Sequence, residues 1–494
     1  MAWGAPRGVD DLIAKLKDNT TASTMCILST RKFGHSEAVA FSAALSSNTS
    51  LKELLASGHR LEATGAAAFG EALATNSTLR SLCVGDNEFG DEGVLALVAG
   101  LRRNRGLLVL DLEYKSIASG EGLGALLKEH PTLADLRLGR NQLGEAGISS
   151  LSAGLSLSST LLRLDLSGNS LDPAAAKALG DALCRRPEIA SAGSGATGPP
   201  PLEFLDVSRN PLGDEGGAAL FSSLATSQTL TGLVMAEAGL GGGAAAALAA
   251  ALVPSSSAAT TPPPPPLSSP PLSPPSPPAA TATGLGEQRG GLLQLKTLDV
   301  SKNEFGSGGA AELAGALSRG GAPWLESLSI GYNGVGDDGA VALGGAAGPR
   351  LAVLDLSGNA LSGTGLGAVV SAAGLREAKL FHNACGDEGV PLLLEALLTG
   401  SALETLDLGA NGLTGAGFEA LLPGLAGCSS LQTLEVGANS NDDRAEEAVR
   451  RSQRDNPALD IAFRRGGEAM EGSGAPPGVG AAGGVGPAAA PSAQ

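Results

Sequence analysis

At 494 residues, with 72 glycines, 43% apolar content and 3% aromatics, the chain must build its core from small aliphatic side chains, which suits thin stacked layers better than one bulky globule. A formal charge of −17 argues against nucleic acid as a partner, because phosphate binding needs a basic stripe, and suits protein partners with a basic surface. Five widely spaced cysteines without a CxxC pair argue against a disulfide framework or zinc site and for a reducing compartment.

The opening stretch MAWGAPRGVDDLIAKLKD sets two acids ahead of any apolar run, so no signal peptide is expected. The most apolar stretch, 239–253, is too short to span a bilayer. The expected location is therefore cytoplasmic, with the nucleus, a cilium or the cytoskeleton as alternatives. Residues 1–22 read as an N-terminal cap whose helix lies within 9–17.

From residue 23 one frame recurs: Leu at position 1, apolar residues at 4 and 6, Asn at 9, an apolar residue at 11 and Gly near 15. Position 1 falls on Leu51, Leu79, Leu107, Leu133, Leu161, Leu202, Leu230, Leu295, Leu325, Leu351, Leu375, Leu403 and Leu431, and most steps are close to 28 residues. Weaker units start at Ser23 and Leu459. The hexapeptide LDLSGN at 164–169 returns at 354–359 because five units and two insertions separate the copies. LxxLxL reads as a short strand with positions 1, 4 and 6 turned inward. Asn at position 9, present in ten of thirteen units, is suited to satisfying buried backbone groups at the turn. His59, Lys115 and Ala238 replace it, so a looser turn is expected there.

The second half of each unit reads as helix. GDEG at 90–93, 213–216 and 386–389 puts acids at the helix start, where free N–H groups and the dipole favour them. Leucines four apart, such as Leu97 and Leu101 or Leu151 and Leu155, mark the face that packs back onto the strands. No such unit buries its own apolar face, so stacking is obligatory.

Two insertions, at 186–201 and 254–291, follow a helix and precede a strand, so both leave the coil by the same edge. The second carries eleven prolines within 261–278, where Pro271 and Pro274 supply a PxxP for a proline-recognising domain and Ser269, Ser273 and Ser276 precede proline. Farther on, Gly334, Gly336 and Gly339 spell GxGxxG, which elsewhere marks a dinucleotide site. Here the glycines occupy repeat positions 10, 12 and 15, and the period accounts for them. No P-loop is present, and His35, His59, His130 and His382 lack metal-ligand spacing. No catalytic residue, cofactor or metal is expected. The segment 442–463 reads as a polar helix and a weak last strand, and 465–494 as a disordered Gly/Ala/Pro tail.

The unit length, its helix and the frame LxxLxLxxNxLxxxG resemble the leucine-rich repeat superfamily, and within it the ribonuclease-inhibitor-like subclass, over residues 23–464. The resemblance implies an α/β fold: a leucine-rich-repeat horseshoe solenoid of about fourteen repeats, with a parallel β-sheet on the concave face and α-helices on the convex face. One branch of the subclass is similar to the Ran GTPase-activating protein, which implies a GTPase-activating regulator of a Ran-like small GTPase as the alternative function.

The leading expectation is a non-catalytic scaffold that binds a protein on the concave face, where positions 2, 3, 5, 7 and 8 point. Position 5 is rich in acids, among them Asp165, Asp206 and Asp355, with Arg137 and Lys379 as the bases. These acids are common in the family and the two bases can relieve like-charge contact between strands; equally, the stripe can face a basic partner. The chain has two tyrosines and ten phenylalanines, and Tyr114, Tyr332, Phe204 and Phe381 all fall at outward positions, accompanied by Arg140, Arg209 and His382. Aromatics and arginine dominate interface energetics, so these residues are the candidate partner-binding set.

Overall fold

The computed structural model describes residues 7–85, 89–184, 200–253, 292–399 and 401–463. The proline-rich tract with Pro271 and Pro274, the insertion over 186–199, Asn87 and the tail at 465–494 lie outside the described residues. Helix α1 (Asp10–Lys17) precedes strand β1 (Thr24–Cys26), and strand and helix then alternate to α15 (Asp443–Asp455) and β15 (Asp460–Ala462). Among the described residues, fifteen strands form a single sheet in strict chain order, and every neighbouring pair is parallel. The result is a solenoid with its sheet on the inner face and its helices outside.

Each strand is only three residues long and covers repeat positions 3 to 5. At the two ends the register sets Thr24 against Glu53 and Asp460 against Thr433. Those units therefore start at 22 and 458, one residue before Ser23 and Leu459, and Met25 and Ile27 are the inward residues of the first. The middle residue of each strand points inward and pairs in register along the stack, as in Leu54↔Leu82 and Leu82↔Leu110; these leucines are fully buried. Leu97, Leu101, Leu151 and Leu155 are likewise fully buried beneath the helices. Where helices come closest, glycine is required by space. A Cβ on Gly100 would fall inside the carbonyl of Gly70 on the preceding helix, and one on Gly154 would do the same at Gly124. Part of the glycine excess is therefore helix contact.

Asparagine at position 9 holds the turn of the unit before it. The Asn141 side chain donates to the carbonyls of Leu112 and Leu138 at 2.9 Å each and accepts from the N–H groups of Lys115 at 2.8 Å and Ile117 at 3.1 Å. Both ends of a buried amide are satisfied, and adjacent units are tied together. The turns at Lys115 and Ala238 are no looser than the rest: Tyr114 and Glu237, one residue earlier, take φ of 54° and 55°, as Arg140 does at 56°. Lys115 is buried, and its Nζ donates to the carbonyl of Glu113 at 2.7 Å. His59 is buried too, with Nε2 3.0 Å from the Ile27 carbonyl.

A second row of amides runs along the loops that follow the helices. Asn76 donates to the Leu45 and Asn48 carbonyls at 2.7 and 2.9 Å and accepts from the N–H groups of Thr78 and Leu79 at 2.9 and 2.8 Å. Asn48 and Asn104 repeat the pattern.

The GDEG acids stand in the first helical turn as expected, but the aspartates reach the next unit: Asp214 caps its helix, and Asp91 holds the loop that leads into it. Asp91 accepts from the N–H groups of Ala118 and Ser119, both at 2.9 Å. Asp214 accepts from those of Gly241 at 2.6 Å and Ala244 at 2.9 Å, and these hydrogen bonds hold its carboxyl below the usual carboxylate range. In both cases the bonded N–H groups belong to the next unit. The GxGxxG glycines also serve the coil: Gly334 and Gly336 adopt φ of 67° and 61°, and a Cβ on Gly339 would stand 2.6 Å from the Val335 side chain.

Candidate functional site

The inner face carries side chains from positions 3, 5, 7 and 8, and their backbones fix what each can do. Position 8 is left-handed in every described unit from Gly58 to Ala438, with φ between 52° and 76°. An L-residue in that conformation costs about 1–2 kcal/mol, and glycine fills it at Gly58, Gly168 and Gly358. Tyr114, Arg140, Arg209, Tyr332 and His382 occupy the same slot despite their bulk. Tyr114 and Tyr332 remain 43% and 42% exposed.

Position 5 shows why Asp recurs. One oxygen of the carboxylate accepts the backbone N–H two residues later: Asp165 from Ser167, Asp206 from Ser208 and Asp407 from Gly409 at 2.8 Å, and Asp355 from Ser357 at 2.9 Å. These acids therefore shape the strand exit, and they remain half-buried on the inner face. Their crowding shows in their acidity. Burial, with Asp165 on the neighbouring strand and Asp299 two strands away, pushes Asp206 up to about 6 against the opposing hydrogen bond from Ser208. Glu113, at position 7, rises to about 7 through burial and through Asp111 and Asp165, which outweigh Arg137 and Arg140.

The candidate residues share the inner face but fall into two groups. In the first, the Arg140 guanidinium lies 5.2 Å from the Tyr114 ring centre, and Arg163 lies 4.1 Å from that of Phe204, which is half-buried. Arg137 pairs with Asp135 at 3.0 Å and Arg209 with Glu237 at 3.4 Å. In the second, Tyr332 and His382 stack with centres 6.2 Å apart and planes 23° from parallel, and Phe381 follows at 6.1 Å from His382. Lys379 pairs with Glu377 at 3.3 Å. Sequence reasoning passes over Arg163 and Glu113. The signal for both is positional, since they stand at outward positions 3 and 7 beside an aromatic and a carboxylate of the next strands. Among the described residues no three His, Cys, Asp or Glu side chains are grouped to hold a metal ion, and no helix is long and apolar enough to cross a membrane.

Five stretches of the chain, 75–98, 157–180, 198–221, 294–314 and 321–344, match the family described as Leucine Rich repeat. Among curated proteins, the chain is similar to Tonsoku-like protein of Bos taurus, with 36% identity over 115 residues, and to that of Mus musculus, with 36% over 113. In each case the match covers 23% of this chain and 8% of the relative, so the chain spans less than a tenth of the length of these relatives. Among solved structures, an internalin from Listeria monocytogenes is similar at 16% identity and a TM-score of 0.43, covering 86% of this chain and 93% of that one. The actin-binding site 2 of leiomodin-1 is similar at 22% identity and a TM-score of 0.24, over 32% of this chain and 78% of that one. Repeated family matches along a coil of fifteen parallel strand–helix units place this chain in the leucine-rich repeat superfamily.

Proposed function

We propose that the chain is a non-catalytic recognition scaffold that binds a protein partner, one with a basic surface, across the concave face of its sheet. The observation that carries this reading is the placement of exposed aromatic and guanidinium groups at left-handed turn positions, where glycine would be cheapest and the core gains nothing from them. The aromatic side chains supply large contact area with little loss of rotamer freedom, and the guanidinium adds a planar, permanently charged donor. The crowded carboxylates around Glu113, Asp206 and Asp407, all less acidic than usual, favour a cationic partner that relieves their repulsion. Pro271 and Pro274 would offer a proline-recognising domain a second attachment.

The test is partner recovery by cross-linking and pull-down from cells with three full-length variants. The pair Tyr114→Ala/Phe204→Ala and the pair Tyr332→Ala/Phe381→Ala each remove one aromatic group. Leu95→Ala/Leu392→Ala alters exposed convex leucines. Recovery is expected to fall with one or both concave pairs at an unchanged circular-dichroism melt, and to persist with the convex pair. Loss only with the convex pair would sink the reading. GTP hydrolysis by a Ran-type GTPase, measured with and without the chain, separates the scaffold from a GTPase-activating regulator: acceleration would establish the regulator.

A further inference from the structure

The second aromatic group has a geometry of its own. The Tyr332 ring lies across Gly358 of the next unit, at the place a Cβ would fill. It stacks toward His382 of the unit after that, and Phe381 leans over Gly409 one unit farther. Three rings thus form a row across the units of β10 (Ser327–Ser329), β11 (Val353–Asp355), β12 (Glu377–Lys379) and β13 (Thr405–Asp407). Positions 7 and 8 around them are otherwise Gly331, Ser357, Gly358, Gly409 and Ala410, so nothing tall screens the rings.

At Gly409 the row meets a carboxylate. The site of a Cβ there is 2.8 Å from the Phe381 ring and 3.1 Å from Asp407 Oδ1. Asp407 is pushed up by burial, with Glu435 and Asp355 adding to the rise and Lys379 opposing it. Lys379 is already paired with Glu377 at 3.3 Å. An open aromatic face beside an acidic row whose one lysine, Lys379, is already paired fits a flat, permanently charged guanidinium better than an ammonium, because only the former both stacks on rings and forks onto carboxylate.

Resting on the concave-face reading above, we propose that Tyr332, His382 and Phe381, together with Asp407, form a seat for an arginine side chain on a basic segment of the protein partner. The 6.2 Å between the Tyr332 and His382 centres is less than the roughly 7 Å that two stacking layers need. The guanidinium therefore caps the row and does not insert into it, and it lies on the Phe381 side, where the carboxylate is.

The experiment is fluorescence anisotropy of labelled peptides with the full-length chain: alternating Arg/Gly, the same peptide with Lys, the same with citrulline, and the chain's own 261–278 tract. The Arg peptide is expected to bind several-fold more tightly than the Lys peptide, and the citrulline peptide to bind about tenfold more weakly or worse. Tyr332→Ala/Phe381→Ala is expected to weaken the Arg peptide about tenfold. Asp407→Asn, which keeps an acceptor for the Gly409 N–H, is expected to weaken it less but to flatten its salt dependence. Leu95→Ala, on the exposed convex side, should match the parent. Equal binding of citrulline, an unchanged affinity in the double variant, or tighter binding of the proline tract would each overturn the arginine seat. If the peptides fail while partner recovery still depends on concave residues, only the seat falls; if that dependence is absent, the concave-face reading falls with it.

Discussion

His130 stands in the second amide row, where Asn48, Asn76 and Asn104 precede it. Its Nδ1 accepts from the Leu133 N–H at 3.1 Å, as the Asn104 oxygen accepts from that of Leu107 at 2.8 Å, so the proton sits on Nε2. That N–H is buried and has no hydrogen-bond partner. Burial, with Arg105 nearby, lowers the imidazole to about 4. The unfolded chain binds the proton near 6.5, so it takes up a proton more readily than the folded one throughout the interval between these values. The neutral ring therefore contributes stability in full above about 6.5, and this is lost as pH falls through the window toward about 4, by up to roughly 3 kcal/mol. His130→Asn should remove this dependence. Its Nδ2 would reach the carbonyls of Leu101 and Asn104, as that of Asn104 reaches Leu73 and Asn76, for a gain of about 1–2 kcal/mol at neutral pH. Melting curves of parent and variant at pH 7.5 and 5 check both claims; a variant no more stable at either pH would show the Nε2–H to be solvated.

At the scale of the element, the helix starts are held from outside their own unit. Asp214, in the first turn of α8 (Gly213–Leu224), caps α9 (Gly242–Leu252) through the N–H groups of Gly241, Gly243 and Ala244. Asp214→Ala should therefore cost about 1–2 kcal/mol, and hydrogen exchange should accelerate at 241–244 while the amides of α8 keep their protection. Acceleration confined to α8 would return the cap to its own helix. This contact also marks where legibility in the sequence ends. The strand is legible because Leu at positions 4 and 6 alternates with outward residues, and the helix because leucines recur at four. The cap is not, since the N–H groups that Asp214 meets lie 27 to 30 residues downstream and become neighbours only on stacking. The candidate face is legible for a similar reason and to a similar depth. Outward positions single out Tyr332 and Phe381, but the row they form with His382 depends on Gly358 and Gly409, whose openness no single unit reveals. The job of Asp at position 5 is equally hidden, because its partner is a backbone N–H made available by the turn.

For the whole molecule, stability is a sum of contacts between neighbouring units, so anything that leaves the coil without breaking such a contact should be dispensable. The longest insertion in the sequence is 254–291. Its flanks are already joined: the Leu292 N–H donates to the Ala251 carbonyl at 2.9 Å, and the Ala322 N–H reaches the Leu252 carbonyl at 3.3 Å. Strands β8 (Gly232–Val234) and β9 (Thr297–Asp299) on either side pair in the same register as the others, Leu233 against Leu298. Removing 38 residues from the 65-residue step between Leu230 and Leu295 leaves 27, within one residue of the common repeat. Loop-closure entropy changes by only about 0.6 kcal/mol for each doubling of length. Replacing 254–291 by a short Gly/Ser link, about three halvings of length, should therefore raise stability by no more than about 2 kcal/mol and leave recovery of a concave-face partner unchanged. Partners lost on excision would be those that use Pro271 and Pro274. A melt that splits into two transitions after excision would show instead that the insertion supports the junction between β8 and β9, because a solenoid cut at its weakest interface unfolds as two bodies.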